Sequence, residues 1–226
     1  MITITSFDRQ TPDDEIIGSI TNGVILPEKH IDSKRIYFDK PVILLSGRVH
    51  PGESPSSWAL EGIIKFLISE SPKAGLLRKY FQIVIVPMLN PDGVYEGMYR
   101  LDTIGHNLNR YYLISDNRQP SIYSMKHLIK HYDSTKRLLY YFDFHGHPSY
   151  KGSFMYGNAI DEIAYQAETE LFGRIMSFKC KTFEEKYCIF DREQMSSKDR
   201  HDMYTKEGCA RVYAFKTANI LHSYTI

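Results

Sequence analysis

A histidine and a glutamate stand three residues apart in "RVHPGE" (48–53), and a second stretch, "FDFHGHP" (142–148), carries two more histidines. Two imidazoles and a carboxylate, with no thiolate, make up the donor set of an open catalytic zinc site, whose fourth position is left to water. The H-x-x-E spacing alone is weak, because a histidine at a strand end is more often a hydrogen-bonded structural residue. Asp143 strengthens it: residues two apart in a strand share a face, so Asp143 can accept a ring N–H from a ligating His145. His145 also abuts a rigid strand, whereas His147 lies between Gly146 and Pro148 on a looser loop, so His145 is the expected third ligand. His50, Glu53 and His145 are thus the candidate metal ligands.

For these side chains to meet, the elements that carry them must end at one place. "PVILLSGRV" (41–49) is a continuous apolar run, as expected of a strand covered on both faces. Ser54 reads as a helix N-cap, Pro55 as the first helical residue, and Leu60, Ile63, Ile64 and Leu67 follow at helical spacing. A second strand, "FQIVIVPM" (81–88), runs into the turn "NPDG" (90–93), and a third is "LLYYFDF" (138–144), preceded by a helix carrying Ile122, Met125, Ile129 and Tyr132. A further helix is expected at about 160–178, with Ile160, Ile163, Ala167, Leu171 and Ile175 as its apolar stripe. Strands alternating with helices predict an α/β fold, a mixed, largely parallel sheet with helices on both faces. Ligands bind such sheets beyond the carboxyl ends of the strands, where His50, Glu53 and His145 fall.

At 226 residues with 42% hydrophobic content the chain suits one domain, and no repeat, linker or low-complexity stretch divides it. A formal charge of +1 argues against nucleic acid or an anionic membrane as partner; only a local basic cluster around 192–216 departs from balance. Three cysteines, Cys180, Cys188 and Cys209, form no CxxC pair and fit a reducing compartment. With no leader-like segment and no long apolar run, a cytoplasmic location is expected. "ITITS" alternates as a strand from the second residue, which suggests further sequence upstream.

The ordered set "RVHPGE", "PMLNPDGV", "LNR" and "FDFHGH" followed by "FMYGN" resembles the zinc carboxypeptidases, in particular the cytosolic carboxypeptidases that trim glutamates from tubulin. "DMYTKEGCARVYAFKTANILHSYT" is similar to the end region of the branch that also removes branch-point glutamates. The resemblance spans about residues 2–226 and implies zinc held by His50, Glu53 and His145. It further implies Arg100 as the group that stabilises the oxyanion, and Asn109 and Arg110 as the grip on the substrate's terminal carboxylate. Arg211, with Lys216 as a weaker candidate, is implied to face an acidic substrate side chain, and Tyr204 to close over the substrate. A guanidinium is suited to these roles because its planar fork matches a carboxylate, which a lysine does not.

The resemblance also implies a general-base glutamate directly after the position of Ile226. The expectation is therefore a single, partial catalytic domain over 1–226, incomplete at its C-terminal end, which by itself hydrolyses little, since general acid–base transfer contributes about 10²- to 10⁴-fold. The implied function is removal of C-terminal or branch-point glutamates from polyglutamylated tubulin or another glutamate-tailed protein, with possible placement at microtubules or cilia. Two rival readings remain at this point: a glutamate-tail-binding module without turnover, and a zinc-dependent N-acyl amino acid acylase, which shares the H-x-x-E plus distant histidine plan.

Overall fold

The computed structural model describes residues 1–7, 10–16, 34–199 and 203–226. In chain order the elements are β1 (Ile2–Ile4), β2 (Gln10–Ile16), β3 (Lys34–Phe38), β4 (Val42–Gly47), α1 (Ser54–Leu67), α2 (Pro72–Tyr80), β5 (Gln82–Val86), α3 (Pro91–Tyr95), α4 (Pro120–Ser134), β6 (Leu138–Phe144), α5 (Ile163–Lys179), α6 (Arg192–Ser196), α7 (Ala210–Ala218) and β7 (His222–Thr225). Five strands form one sheet in the order β1-β5-β4-β6-β7, while β2 and β3 pair separately. The β4–β5, β4–β6 and β6–β7 pairings are parallel, and β1 runs antiparallel to β5 at the edge.

The apolar runs are continuous because both sheet faces are covered. Leu44, Val84 and Tyr141 pack with Ile122, Met125, Ile129 and Tyr132 of α4 and with Ala210 and Ala214 of α7. Their neighbours Leu45, Ile83, Ile85, Phe142 and Phe144 face the other way, onto Leu60 and Leu67 of α1 and Phe172 and Met176 of α5. Each such aliphatic or aromatic side chain contributes about 1.5–3 kcal/mol when fully buried. The order reverses at β4, whose neighbours β5 and β6 follow it on opposite sides, so a crevice opens at the carboxyl ends of β4 and β6.

Three local expectations change. The start of α1 lies one residue earlier than expected: Glu53 occupies the N-cap position and Ser54 is the first helical residue, with Pro55 in the opening turn. "NPDG" opens α3, with Asn90 Oδ1 accepting from the Gly93 amide at 3.0 Å. The apolar stripe expected on α5 faces solvent, with Ile163 82% and Leu171 53% exposed. Thr169, Gly173, Phe172 and Met176 turn inward instead. The 3.6-residue period groups residues on one face but does not say which face meets the sheet. Gly173 decides it, since a Cβ there would stand 3.3 Å from Met155 Sδ, and its absence lets the helix approach. No helix among the described residues is long and apolar enough to cross a membrane.

Candidate metal centre

Where β4 ends, the chain must turn sharply to deliver two side chains back over the sheet. Arg48 adopts the left-handed region (φ 55°), a conformation that costs a non-glycine residue about 1–2 kcal/mol. Its guanidinium secures the turn by donating to the Pro51 carbonyl at 2.7 Å and to Ser57 Oγ at 2.8 Å. His50 and Glu53 follow. Glu53 is freed for chemistry because it makes no side-chain cap to α1.

The carboxylate of Glu53 is the centre of convergence. Its Oε1 lies 2.8 Å from His50 Nδ1, its Oε2 lies 2.9 Å from His145 Nδ1, and the Gly146 amide donates to Oε2 at 2.9 Å. One donor atom from each of the three residues lies within 4.8 Å of the others. His145, rather than His147, completes the set. His147 stacks on Tyr150 with ring centroids 4.5 Å apart, and its Nδ1 accepts from the Ser149 and Tyr150 amides.

The opposite ring nitrogens are held by outer partners. His145 Nε2 lies 2.8 Å from Asp143 Oδ2 and His50 Nε2 lies 3.0 Å from Asn107 Oδ1. Both partners are oxygens that accept, so they suit an Nε2–H in each ring when Nδ1 is given to a metal; without one, Nδ1 faces the Glu53 carboxylate. Asp143 is itself fixed, fully buried, with Ser46 donating to its Oδ1 at 2.6 Å.

Electrostatics follow from this crowding. Burial lowers the pKa of His50, more strongly than Glu53 opposes it. Burial also disfavours a charge on His145, but the Asp143 and Glu53 carboxylates outweigh it and push its pKa up to about 10. Burial would raise Glu53, yet hydrogen bonds from His145 and His50 hold it well below the carboxylate range. The centre therefore attracts positive charge between Glu53 and the imidazoles, and this nitrogen and oxygen donor set fits zinc. Substituting Asp143→Asn keeps an acceptor but removes its charge. Zinc affinity is expected to fall about 10–100-fold, measured by competition against a chromophoric chelator.

The centre opens into a cavity of about 880 Å³ lined by Arg100, Asn109, Arg110, Asp199, Lys206 and Arg211, among others. Arg100 Nη1 lies 3.6 Å from Glu53 Oε1, so this guanidinium borders the metal ligands directly. Arg110 is buried and donates to the Asn109 carbonyl at 2.7 Å and to Asp199 Oδ2 at 2.7 Å. Gly208 makes room for this turn, since a Cβ there would stand 2.1 Å from the Arg110 carbonyl oxygen. The Asn109 side chain accepts from the Ala210 amide at 3.0 Å, and its Nδ2 sits 3.2 Å from His145 Nε2. Arg211 is buried on α7 and donates to Gly157 O and to Asn158 Oδ1.

Two expected residues lie apart from this group. Tyr204 packs against Tyr111, with centroids 5.5 Å apart, and does not line the cavity. Lys216 pairs with Glu207 at 2.5 Å on the outer side of α7. Asn107, Asp199 and Lys206 were not anticipated. Within the basic stretch 192–216, positions 200–202 lie outside the described residues.

The zinc carboxypeptidase family model matches residues 30–226. A cytosolic carboxypeptidase-like protein 5 from Homo sapiens is 30% identical over 85% of this chain and 31% of its own length. Cytosolic carboxypeptidase 6 from Mus musculus is 40% identical over 70% of this chain and 30% of its own length. The chain thus spans about a third of the length of these curated relatives. Among solved structures, a metallo-carboxypeptidase from Burkholderia cenocepacia superposes with a TM-score of 0.68 at 23% identity, covering 82% of this chain and 47% of that one. A carboxypeptidase A from Helicoverpa armigera gives 0.60 at 20% identity, covering 82% and 51%; both likenesses concern the fold. With a family match over most of its length and the metal ligands in place, the chain belongs to the zinc carboxypeptidase family.

Proposed function

We propose that residues 1–226 form one zinc metallocarboxypeptidase domain that acts on glutamates at the C-terminus or branch points of polyglutamylated tubulin or a similar acidic-tailed protein in the cytoplasm. The observation that carries this reading is the charge of the cavity. Arg100, Arg110, Lys206 and Arg211 stand against only Glu53 and Asp199 among its described lining residues. A positively charged cleft favours a substrate with more than one carboxylate, as a terminal glutamate has. The names of the relatives, cytosolic carboxypeptidases, support the same reaction class and location.

When bound at His50, Glu53 and His145, zinc supplies Lewis-acid polarisation of a carbonyl and lowers the pKa of a water at its open position. The remaining work falls to the chain. Asn109 and Arg110 hold the terminal carboxylate, Arg211 meets the side-chain carboxylate, and Arg100, beside the metal ligands, offers N–H groups to the oxygen that gains charge. The His145 amide donates to the Ile226 carbonyl at 2.7 Å, which holds Ile226 next to a candidate metal ligand, and the resemblance implies a general-base glutamate one position further on. A glutamate there would take a proton from water and return it to the leaving amine.

The test is release of free glutamate from a polyglutamylated peptide by a chain extended through that glutamate, with and without chelator. Release that a chelator stops is the expected result, and release that persists under chelation contradicts the reading. Tight peptide binding without turnover would identify a glutamate-tail-binding module instead.

A further inference from the structure

Besides the candidate metal ligand Glu53, Asp199 is the acid that lines the cavity among the described residues. It approaches from the segment between α6 and α7, far along the chain from either arginine, and its side chain is 9% exposed. A single oxygen, Oδ2, accepts from Arg110 Nη2 at 2.7 Å and from Arg100 Nη2 at 3.3 Å. Its backbone is anchored: the Asp199 amide donates to Tyr204 O at 2.9 Å, the Met203 amide donates to Asp199 O at 3.0 Å, and Lys198 bridges Thr205 across the same turn. A carboxylate fixed in this way acts as a post rather than as a mobile occupant.

Resting on the proposed roles of Arg100 and Arg110, we propose that Asp199 is the positioning residue of the substrate grip. Its Oδ2 ties the guanidinium assigned to the oxyanion to the guanidinium assigned to the terminal carboxylate, and so sets the separation of the two substrate groups they hold. Three features support this. Both arginines give an Nη2 donor to the same Asp199 oxygen, while the buried Nε–H of each has no partner among the described residues. Arg100 sits between two acids, 3.6 Å from Glu53 Oε1 and 3.3 Å from Asp199 Oδ2, so Asp199 draws it off the metal-binding carboxylate. The Arg110 pair is almost fully enclosed, where a charge-assisted hydrogen bond holds geometry best.

The experiment uses the zinc-loaded chain and two short peptides that end in glutamate, one with a free terminal carboxylate and one amidated, with affinities measured by calorimetry. The wild-type chain should prefer the acid over the amide by about 100-fold or more, the discrimination expected of a charged, forked grip. In Asp199→Asn, which keeps the shape but loses the charge, that preference should shrink by about 10- to 100-fold. A loss of fold alone would weaken both peptides together and leave the ratio unchanged. Should Asp199→Asn not fold, Asp199→Glu moves the carboxylate by one methylene and should shrink the ratio by about tenfold. An unchanged ratio in the folded variant, or tighter acid binding, overturns the proposal; the latter would make Asp199 a competitor for the substrate's place. Absence of any acid preference in the wild-type chain overturns instead the reading on which the proposal rests.

Discussion

Glu53→Ala will strip the chain of its zinc. Its carboxylate is the one group that both Nδ1 atoms and the Gly146 amide reach, within 2.8–2.9 Å. Removing it deletes a ligand and also leaves two imidazoles facing each other, 5.1 Å apart between centroids, with no anion between them. The loss in zinc affinity should exceed the roughly 10–100-fold that a missing outer partner costs. Elemental analysis after dialysis reads it directly: near-stoichiometric zinc in the wild-type chain and almost none in the variant. His147→Ala is the control. Because that ring is engaged with Tyr150 and with the two amides of its own loop, its removal should leave zinc retention unchanged.

Arg110→Ala should have the second-largest effect, and it acts on two measurements. The pair it makes with Asp199 is buried on both sides, 7% and 9% exposed, so truncating the arginine takes the 2.7 Å partner from an enclosed carboxylate. Breaking a buried pair from one side costs about 3–5 kcal/mol, which for a chain of this size lowers Tm by roughly 10 °C. Binding of a glutamate-terminated peptide should fall together with it, by about 100-fold, since the fork to the terminal carboxylate is gone. Arg110→Lys separates the two effects. It restores charge opposite Asp199 and thus part of the stability, but a single ammonium does not reproduce the two-pronged contact, so peptide affinity should stay low. A lysine variant that binds peptide as the wild-type chain does would contradict the role given to Arg110.

The residues of the metal centre could be read because local pattern and chemistry coincide there. Two apolar runs of strand length each end in a metal-ligating residue type, and a parallel sheet places such ends together. Asp143 was legible for the same reason, since a period of two fixes its face relative to His145. Asp199 was not, because it lies in the polar stretch "SSKDRHD", which has no periodicity, and it meets Arg110 across 89 positions of sequence. Asn107 reaches His50 across 57 positions and carries no motif of its own. The orientation of α5 escaped for a different reason: its strongest apolar stripe is the exposed one, and only the close approach at Gly173 settles which side meets Met155. Tyr204 is held by a ring contact to Tyr111, a pairing that proximity to the chain end does not specify.

The proposed chemistry requires one ion shared by His50, Glu53 and His145. X-ray absorption at the zinc edge of the loaded chain measures this directly. The expected spectrum has two imidazole nitrogens at about 2.0–2.1 Å and oxygen at about 2.0–2.2 Å, with no sulfur, and it is lost in Glu53→Ala. A sulfur shell at about 2.3 Å, or zinc that the chain retains unchanged after Glu53→Ala, would contradict it.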